Sequence, residues 1–450
     1  MIALGSVSAV DMLTDFSPFV TVTLLTAFVV AKAVKVTEQM NRTVITAVRI
    51  LSLCLRGALL SDNELVIIKF SLFCALVVFS VPSFILAMIS PFAVKIKSQE
   101  DDEIGSLSGR ISSLSTIGSI TGTFLMGFIL IPNIGVNNIN IGVTLTLVVM
   151  SVLSRENRDK KYMYKTILLV CIMLILILLG KLIFKANNPD ILLDTDSQYS
   201  RIWVKQIATE KNNYKTLQVD TGLESYINAE TGEMGAKYLR FYDLFEYFNK
   251  DAKSTLLIGG AAYTYPIHYL DKYDDKTIDV VEIDDKMTEI AVEHFGLDIN
   301  EPRLKIYNQD GRSFLNYSKN KYDTILIDAF KGVNAPFELT TYEALVNARN
   351  MLNENGIVLT NIISYIDGDE SDFIKYEYAT YKAVFDDVKL FTVNTKERKN
   401  RQNLILVGIK GNPQKDETKY DEYDKYLDMQ VTEFETDKQI VTDDFAPIGN

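Results

Sequence analysis

Few residues in this 450-residue chain are equipped to move protons or bind metals, so each can be weighed in turn. Histidine occurs twice, at His268 and His294, and cysteine three times, at Cys54, Cys74 and Cys171. None has a partner at metal-ligand spacing, so the sequence predicts no zinc ribbon, no disulfide framework and no metal centre. Proton transfer then falls to carboxylates, tyrosines or lysines. Four short runs follow apolar segments and carry such groups or glycines: Ile258-Gly259-Gly260-Ala261-Ala262, Val281-Glu282-Ile283-Asp284, Asn308-Gln309-Asp310-Gly311 and Asp328-Ala329-Phe330. Small residues let a ligand approach the backbone, and an acidic residue about 20 positions past a glycine turn can hold the ribose hydroxyls of an adenosine cofactor. Glu282 follows Gly260 at that spacing.

Each feature also has a plainer role: the glycines as a tight strand–helix turn, Glu282 as a helix cap before Lys286, Asp310 as an N-cap for 311–315. Order and spacing together favour the adenosine reading. The elements that must position these residues alternate in type. Strands are predicted at 256–258, 278–283, 304–307, 322–327 and 357–363, with helices at 266–272, 286–295 and 341–352, the pattern of a parallel sheet with crossover helices. Ligands bind such sheets beyond the carboxyl ends of the strands, where all four runs lie. Upstream, 201–208, 214–220 and 225–228 read as short antiparallel strands, a small β unit preceding the larger fold.

The chain is divided by composition. Residues 1–185 hold 16 basic and 11 acidic residues and the remainder 30 and 47, giving +5 and −17. An acidic C-terminal half offers no broad basic footprint, so nucleic acid is not an expected partner. The first part carries apolar runs at 16–36, 65–94, 112–132, 139–153 and 166–184, with a weaker one at 43–60 that contains Arg49 and Arg56. Crossing a hydrocarbon core takes about 20 apolar residues, so 1–185 is expected to be a transmembrane helical domain of about five to six spans with membrane lipids as partners. Gly118 and Gly122 stand at a spacing that suits close helix packing. Domains are expected at 1–185 (membrane), 186–232 (β unit), 233–412 (nucleoside-binding) and 413–450 (acidic tail, with a solvated helix at 416–425).

At this point the residues reach a resemblance. The runs LLIGGAAYTYP, VVEIDDKM, NQDGRSFL and YDTILIDAF resemble the spermidine synthase family of aminopropyltransferases, which shares its Rossmann-like fold with S-adenosylmethionine methyltransferases. DSQYSRIWV and LQVDTG are similar to that family's N-terminal β segment, and YLRFYDLF to the helix before its glycine turn. PSFILAMISPF, SLSTIGSITGTFLMGFILIP and the closing VTDDFAPI are similar to membrane-fused members. The fold class implied is an N-terminal α-helical transmembrane bundle plus a C-terminal α/β Rossmann-like, methyltransferase-type domain with a small preceding antiparallel β unit.

The resemblance implies that Gly259 and Gly260 line the sulfonium nucleoside, Glu282 holds the ribose, Asp310 and Gly311 face the adenine, and Asp328 is the catalytic carboxylate beside the amine. It further implies decarboxylated S-adenosylmethionine or S-adenosylmethionine as co-substrate without a metal, a small-molecule amine as acceptor, and a homodimer. Tyr263 and Tyr265 either wall the sulfonium as an aromatic face or pack a helix start. The chain departs from the family twice: Ala262 and Lys331 stand where two diamine-binding aspartates are expected. A polycation needs anions at fixed separation, so the lost carboxylates leave open methyl transfer, another S-adenosylmethionine chemistry, or a non-catalytic nucleoside-binding membrane sensor or transporter. Asp367, Asp369, Glu370 and Asp372 either rebuild an anionic mouth or form a solvated loop. The expected location is a multi-pass integral membrane protein of the cell membrane. A cofactor made in the cytoplasm puts the catalytic domain there, whereas the basic loop Arg155, Arg158, Lys160, Lys161 and Lys165 argues for the opposite face.

Overall fold

The computed structural model describes residues 104–153, 182–209, 212–220, 222–329 and 336–446, with single helical residues at 94 and between 164 and 180. The chain divides into two compact units, Met1–Pro189 and Asp190–Asn450. In the first, helix α1 (Ile104–Leu125) runs on through a π-helical turn, Met126–Leu130, and a short helix, Ile131–Ile134; Gly135 at φ 75° then breaks the chain before α2 (Val136–Leu153). Among the described residues one helix, Gly105–Leu130, is long and apolar enough to cross a membrane. Its Leu114, Ile117, Phe124 and Phe128 side chains are exposed, and among the described residues nothing packs against Gly118 or Gly122. The expected spans at 16–36 and 43–60, all of 65–94 except Val94, and much of 166–184 lie outside the described residues, so of the five to six spans expected one candidate helix stands among the described residues.

The second unit holds two sheets. Strands β1 (Ile191–Asp196), β2 (Arg201–Ala208), β3 (Asn213–Val219) and β4 (Gly222–Asn228) form an antiparallel sheet in that order. Its third pairing slips at a bulge, where Leu217 faces Ser225 but Gln218 faces Leu223, so Glu224 is the extra residue. After helix α3 (Leu244–Phe248) come β5 (Ser254–Ile258), α4 (Thr264–Lys272), β6 (Thr277–Glu282), α5 (Asp285–Ile290), β7 (Leu304–Asn308), α6 (Gly311–Tyr317), β8 (Tyr322–Ile327), α7 (Tyr342–Met351), β9 (Leu352–Ser364), α8 (Asp372–Val384), β10 (Asp387–Thr392), β11 (Gln402–Ile409) and α9 (Tyr420–Leu427). The seven-stranded sheet has the order β10-β11-β9-β8-β5-β6-β7. Six strands run in one direction and β11 inserts antiparallel to them between β9 and β10. Strand order reverses between β5 and β8, which creates the crevice where ligands bind in open α/β sheets.

Both faces of this sheet are covered, which is why its central strands are continuous apolar runs. Leu257, Val280 and Leu326 point into one cluster, with Phe245, Tyr265, Tyr269 and Tyr423, while Leu256, Ile258, Val281 and Ile325 point into the other, with Phe314, Leu345 and Tyr381. A third cluster joins the small sheet to α5: Ile202, Val204 and Leu217 pack with Ala262, Met287, Ile290 and Phe295. The expected solvated helix at 416–425 is instead seated by Tyr423, which is buried and accepts a hydrogen bond from Lys272 (2.9 Å) while donating one to Glu246 (2.9 Å). Trp203, the sole tryptophan, is buried on β2 under the Arg201 guanidinium.

One core residue breaks the apolar pattern. Glu377 on α8 is 1 % exposed, and neither carboxylate oxygen has a hydrogen-bond partner. Burial pushes its carboxyl well above the usual carboxylate range. A raised folded-state value gives stability that is complete at acid pH and lost as pH rises toward that value. Glu377→Leu is therefore expected to stabilise the unit by about 1–3 kcal/mol, and by more at alkaline than at acid pH. Thermal melts followed by Trp203 fluorescence check this, and a lower melting midpoint in the variant would refute it.

Candidate functional site

The crevice at the reversal point is a cleft of about 310 Å³ formed at the carboxyl ends of β5, β6, β7 and β8. Its construction begins at Gly259. That residue sits at φ 96°, and a Cβ there would lie 2.2 Å from the Asp328 carbonyl oxygen, so only glycine lets β5 and β8 end side by side. Two backbone bonds fix the approach, Gly259 N–H to Val281 O (2.9 Å) and Asp328 N–H to Ile258 O (2.8 Å). The turn continues through Ala261 at φ 45° and Tyr263 at φ 55°, a cluster of left-handed residues of the kind that persists at ligand sites.

That twisted turn aims its amides at Glu282. Oε2 accepts from Gly260 N (2.8 Å) and Ala261 N (3.0 Å), and Oε1 accepts from Asp284 N (2.9 Å). Each carboxylate oxygen can accept two hydrogen bonds, so Oε1 retains one position on the cleft side. Burial raises the Glu282 carboxyl, against the pull of those amides. The helix cap before Lys286 is Asp284, whose Oδ1 accepts from Lys286 N (3.1 Å); Glu282 does not fill that role. Asp310 does cap α6 through Ser313 N (2.7 Å), and it lines the cleft as well.

Asp328 ends β8 and is held from two sides. Tyr238 donates its hydroxyl to Oδ2 (3.0 Å) and Asn361 its amide to Oδ1 (3.1 Å), while Asn403 on β11 fixes Asn361 in turn (2.9 Å). The buried Tyr242 hydroxyl lies close enough to draw the Asp328 carboxyl down, yet makes no hydrogen bond of ordinary geometry. Burial outweighs these donors and pushes the carboxyl up to about 6. A carboxylate poised there can take up and release a proton near neutral pH.

Residues 244–417 match the spermine/spermidine synthase domain family. This segment of the chain is spermidine synthase-like. The chain is 29 % identical over 186 residues to a probable polyamine aminopropyl transferase of Bifidobacterium longum, covering 41 % of this chain and 40 % of that one. It is 27 % identical over 216 residues to the polyamine aminopropyltransferase of Vibrio vulnificus, covering 44 % and 70 %. Against the structure of a probable spermidine synthase from Corynebacterium glutamicum, identity is 22 % with a TM-score of 0.42, over 48 % of this chain and 79 % of that one.

Within this spermidine synthase-like unit Gly259, Glu282, Asp310, Gly311 and Asp328 all line the one cleft. Gly260 stands behind it, its N–H on Glu282 and its α-carbon against the Tyr263 ring. Tyr263 and Tyr265 do not wall the cleft. Both are buried in the aromatic core, with Tyr263 paired to Thr288 (2.7 Å) and Tyr265 donating to Asp243 (3.1 Å). Left-handed backbone at Tyr263 and the inward face of α4 turn the two rings away from the ligand side. Ala262 is fully buried against the small sheet, so no carboxylate stands there, and Lys331 lies outside the described residues. Asp367 and Asp372 of the acidic run after β9 do not line the cleft. Arg398 binds Asp367 in bidentate fashion (2.7 and 3.1 Å) and Lys438 binds Asp372 (2.8 Å), both away from the cleft.

Sequence reasoning missed Tyr199 in the turn between β1 and β2, Glu224 on β4, Tyr238, Arg312, and Pro336, Glu338 and Leu339, all but Tyr238 lining the cleft. Glu224 had a readable signal, an acidic residue within a strand pattern, but the bulge that re-aims it was not readable. The Tyr199 phenol is raised by burial first and then by Asp284, Asp285, Asp310 and Glu282, a measure of how anionic this cavity is.

Proposed function

We propose that the C-terminal unit transfers an aminopropyl group from decarboxylated S-adenosylmethionine to a small amine. The charge of the cleft carries this reading. Carboxylates of Glu224, Glu282, Asp284, Asp310, Asp328 and Glu338 line it, and among the described residues Arg312 is its one cation, already joined to Asp443 (2.6 Å). Decarboxylated S-adenosylmethionine brings a sulfonium and an ammonium and no carboxylate, and the acceptor is itself cationic, so both suit this lining better than a zwitterionic amino-acid tail. These carboxylates offset the loss of Ala262's expected aspartate.

In this reading Glu282 takes a ribose hydroxyl at its remaining Oε1 position, and Ile283, Pro336 and Leu339 supply apolar walls for the base. Gly259 and Gly311 supply the close backbone approach. The co-substrate provides an electrophilic carbon beside its sulfonium: the amine nitrogen bonds to it as the carbon–sulfur bond breaks and the electron pair stays on sulfur, leaving methylthioadenosine. Asp328 Oδ accepts the proton the nitrogen gives up and passes it to water. Tyr238 and Asn361 keep the carboxylate aimed. The apolar exterior of α1 supports a membrane-crossing helix in the first unit that anchors this chemistry to a lipid bilayer.

Mass spectrometry of the full-length chain incubated with each form of the cofactor and a mixture of diamines tests the proposal. An acceptor heavier by one aminopropyl group, formed only from the decarboxylated cofactor, is the expected product. A methyl increment from S-adenosylmethionine would assign the cleft to methyl transfer, and nucleoside binding without any product would make it a sensor.

A further inference from the structure

Residues 441–445 form a strap across the amino end of α7. Val441 is fully buried; its N–H donates to Thr380 Oγ1 on α8 (2.9 Å) and its carbonyl accepts from Tyr342 N (2.7 Å). Two bonds between Thr442 and Phe445 (2.9 and 3.0 Å) tighten the strap into a turn, and the Phe445 ring packs on Tyr376. Asp443 is thereby delivered to the helix end. Its Oδ1 accepts from Thr341 Oγ1 (2.7 Å), its Oδ2 from Arg312 Nη2 (2.6 Å), and its own N–H donates to Glu343 Oε2 (3.0 Å).

Arg312 is consequently held at three points. Besides Asp443, its Nη1 donates to Glu338 O (3.0 Å) and Thr341 Oγ1 (2.9 Å). A planar guanidinium bonded through both terminal nitrogens has its plane fixed, and such a plane stacks on flat aromatic rings. Arg312 follows Asp310 and Gly311 directly and lines the cleft with Glu338 and Leu339. A guanidinium fixed in its own plane can still offer its face.

We infer that Arg312 is a binding residue for the nucleobase of the nucleoside ligand and that Asp443, far away in sequence, is its positioning residue. The inference rests on the nucleoside reading of the cleft proposed above. The ligand class is an adenine nucleoside, recognised at its flat base by the guanidinium face, and the closing strap is what orients that face.

Calorimetric titration of the full-length chain with methylthioadenosine reads the nucleoside site without the transferred group. Arg312→Lys keeps the charge but loses the fork, and is expected to weaken Kd about tenfold. Asp443→Asn is expected to weaken it several-fold, with the loss in turnover assays falling on KM for the nucleoside co-substrate more than on kcat. Because Asp443 acts through Arg312, the double variant should bind no more weakly than Arg312→Lys alone. Losses that add in the double variant would overturn the positioning role. Wild-type binding with unchanged Kd in both single variants would overturn the inference alone, whereas failure of the unaltered chain to bind methylthioadenosine would overturn the nucleoside reading with it. If Asp443→Asn loses its melting transition, Arg312→Lys and Arg312→Gln carry the test, and unchanged affinity in both overturns it.

Discussion

Asp328→Asn is expected to cut turnover by about 10²–10⁴-fold while methylthioadenosine binding stays close to that of the unaltered chain. The side chain is isosteric and keeps one acceptor for the Tyr238 hydroxyl or the Asn361 amide, but it cannot take a proton from an attacking amine. Turnover of the unaltered enzyme should rise with pH through about 6, as the Asp328 carboxyl ionises, and this limb should vanish in the variant. The stability effect runs the other way. A carboxyl whose folded-state value lies above its unfolded one contributes stability below the unfolded value and loses it as pH rises to about 6. At neutral pH the native protein bears a buried anion that asparagine lacks, so the melting midpoint of the variant should be no lower. Stopped-time product assays across pH and thermal melts at neutral pH check both parts; near-native turnover in Asp328→Asn would remove this residue from the chemistry.

Gly259→Ala should damage both folding and binding. Its methyl group would meet the Asp328 carbonyl oxygen at 2.2 Å, a backbone atom that cannot swing away, and the residue would be forced to keep φ 96°. Left-handed strain costs about 1–3 kcal/mol, and separating β5 from β8 adds to it, so a loss of about 3 kcal/mol or more is expected, with nucleoside affinity reduced at least about a hundredfold. Gly311→Ala offers the contrast: its methyl would meet a side-chain atom, Ile258 Cγ2 at 2.6 Å, and no backbone, and its φ is not left-handed. Fluorescence melts and titration of the two variants should therefore separate clearly, and a Gly259→Ala protein melting like the unaltered one would show that the strand ends are not locked at this point.

The central strands were legible because burial on both faces leaves little choice of residue: β5, β6, β8 and the predicted part of β9 read as apolar runs bounded by glycine or carboxylate. The antiparallel pair β10 and β11 was not, since its order in the sheet is set by pairing with β9 and not by any local pattern. The same division holds in the site. Glu282 and Asp328 announce themselves by standing at strand ends. Tyr238, Asn361 and Asn403 look ordinary in the sequence and acquire their role only when three separate elements converge on one carboxylate. Tyr263 and Tyr265 show the opposite error, since aromatic residues beside a glycine turn suggest a ligand wall until the left-handed backbone and the inner face of α4 bury them.

The apolar cluster shared by the small sheet and α5 decides how a ligand can come and go. Tyr199, Ser200, Val219 and Glu224 make one side of the cleft, and the strands bearing them are sealed below by Ile202, Val204 and Leu217 against Met287, Ile290 and Phe295. Lifting that side away would wet these side chains at about 1.5–3 kcal/mol each, placing the opened form on the order of 10 kcal/mol above the closed one. A state so rare cannot keep pace with ordinary product release. The small sheet is a fixed wall, and exchange of ligand must occur across the opposite rim while that wall stays in place.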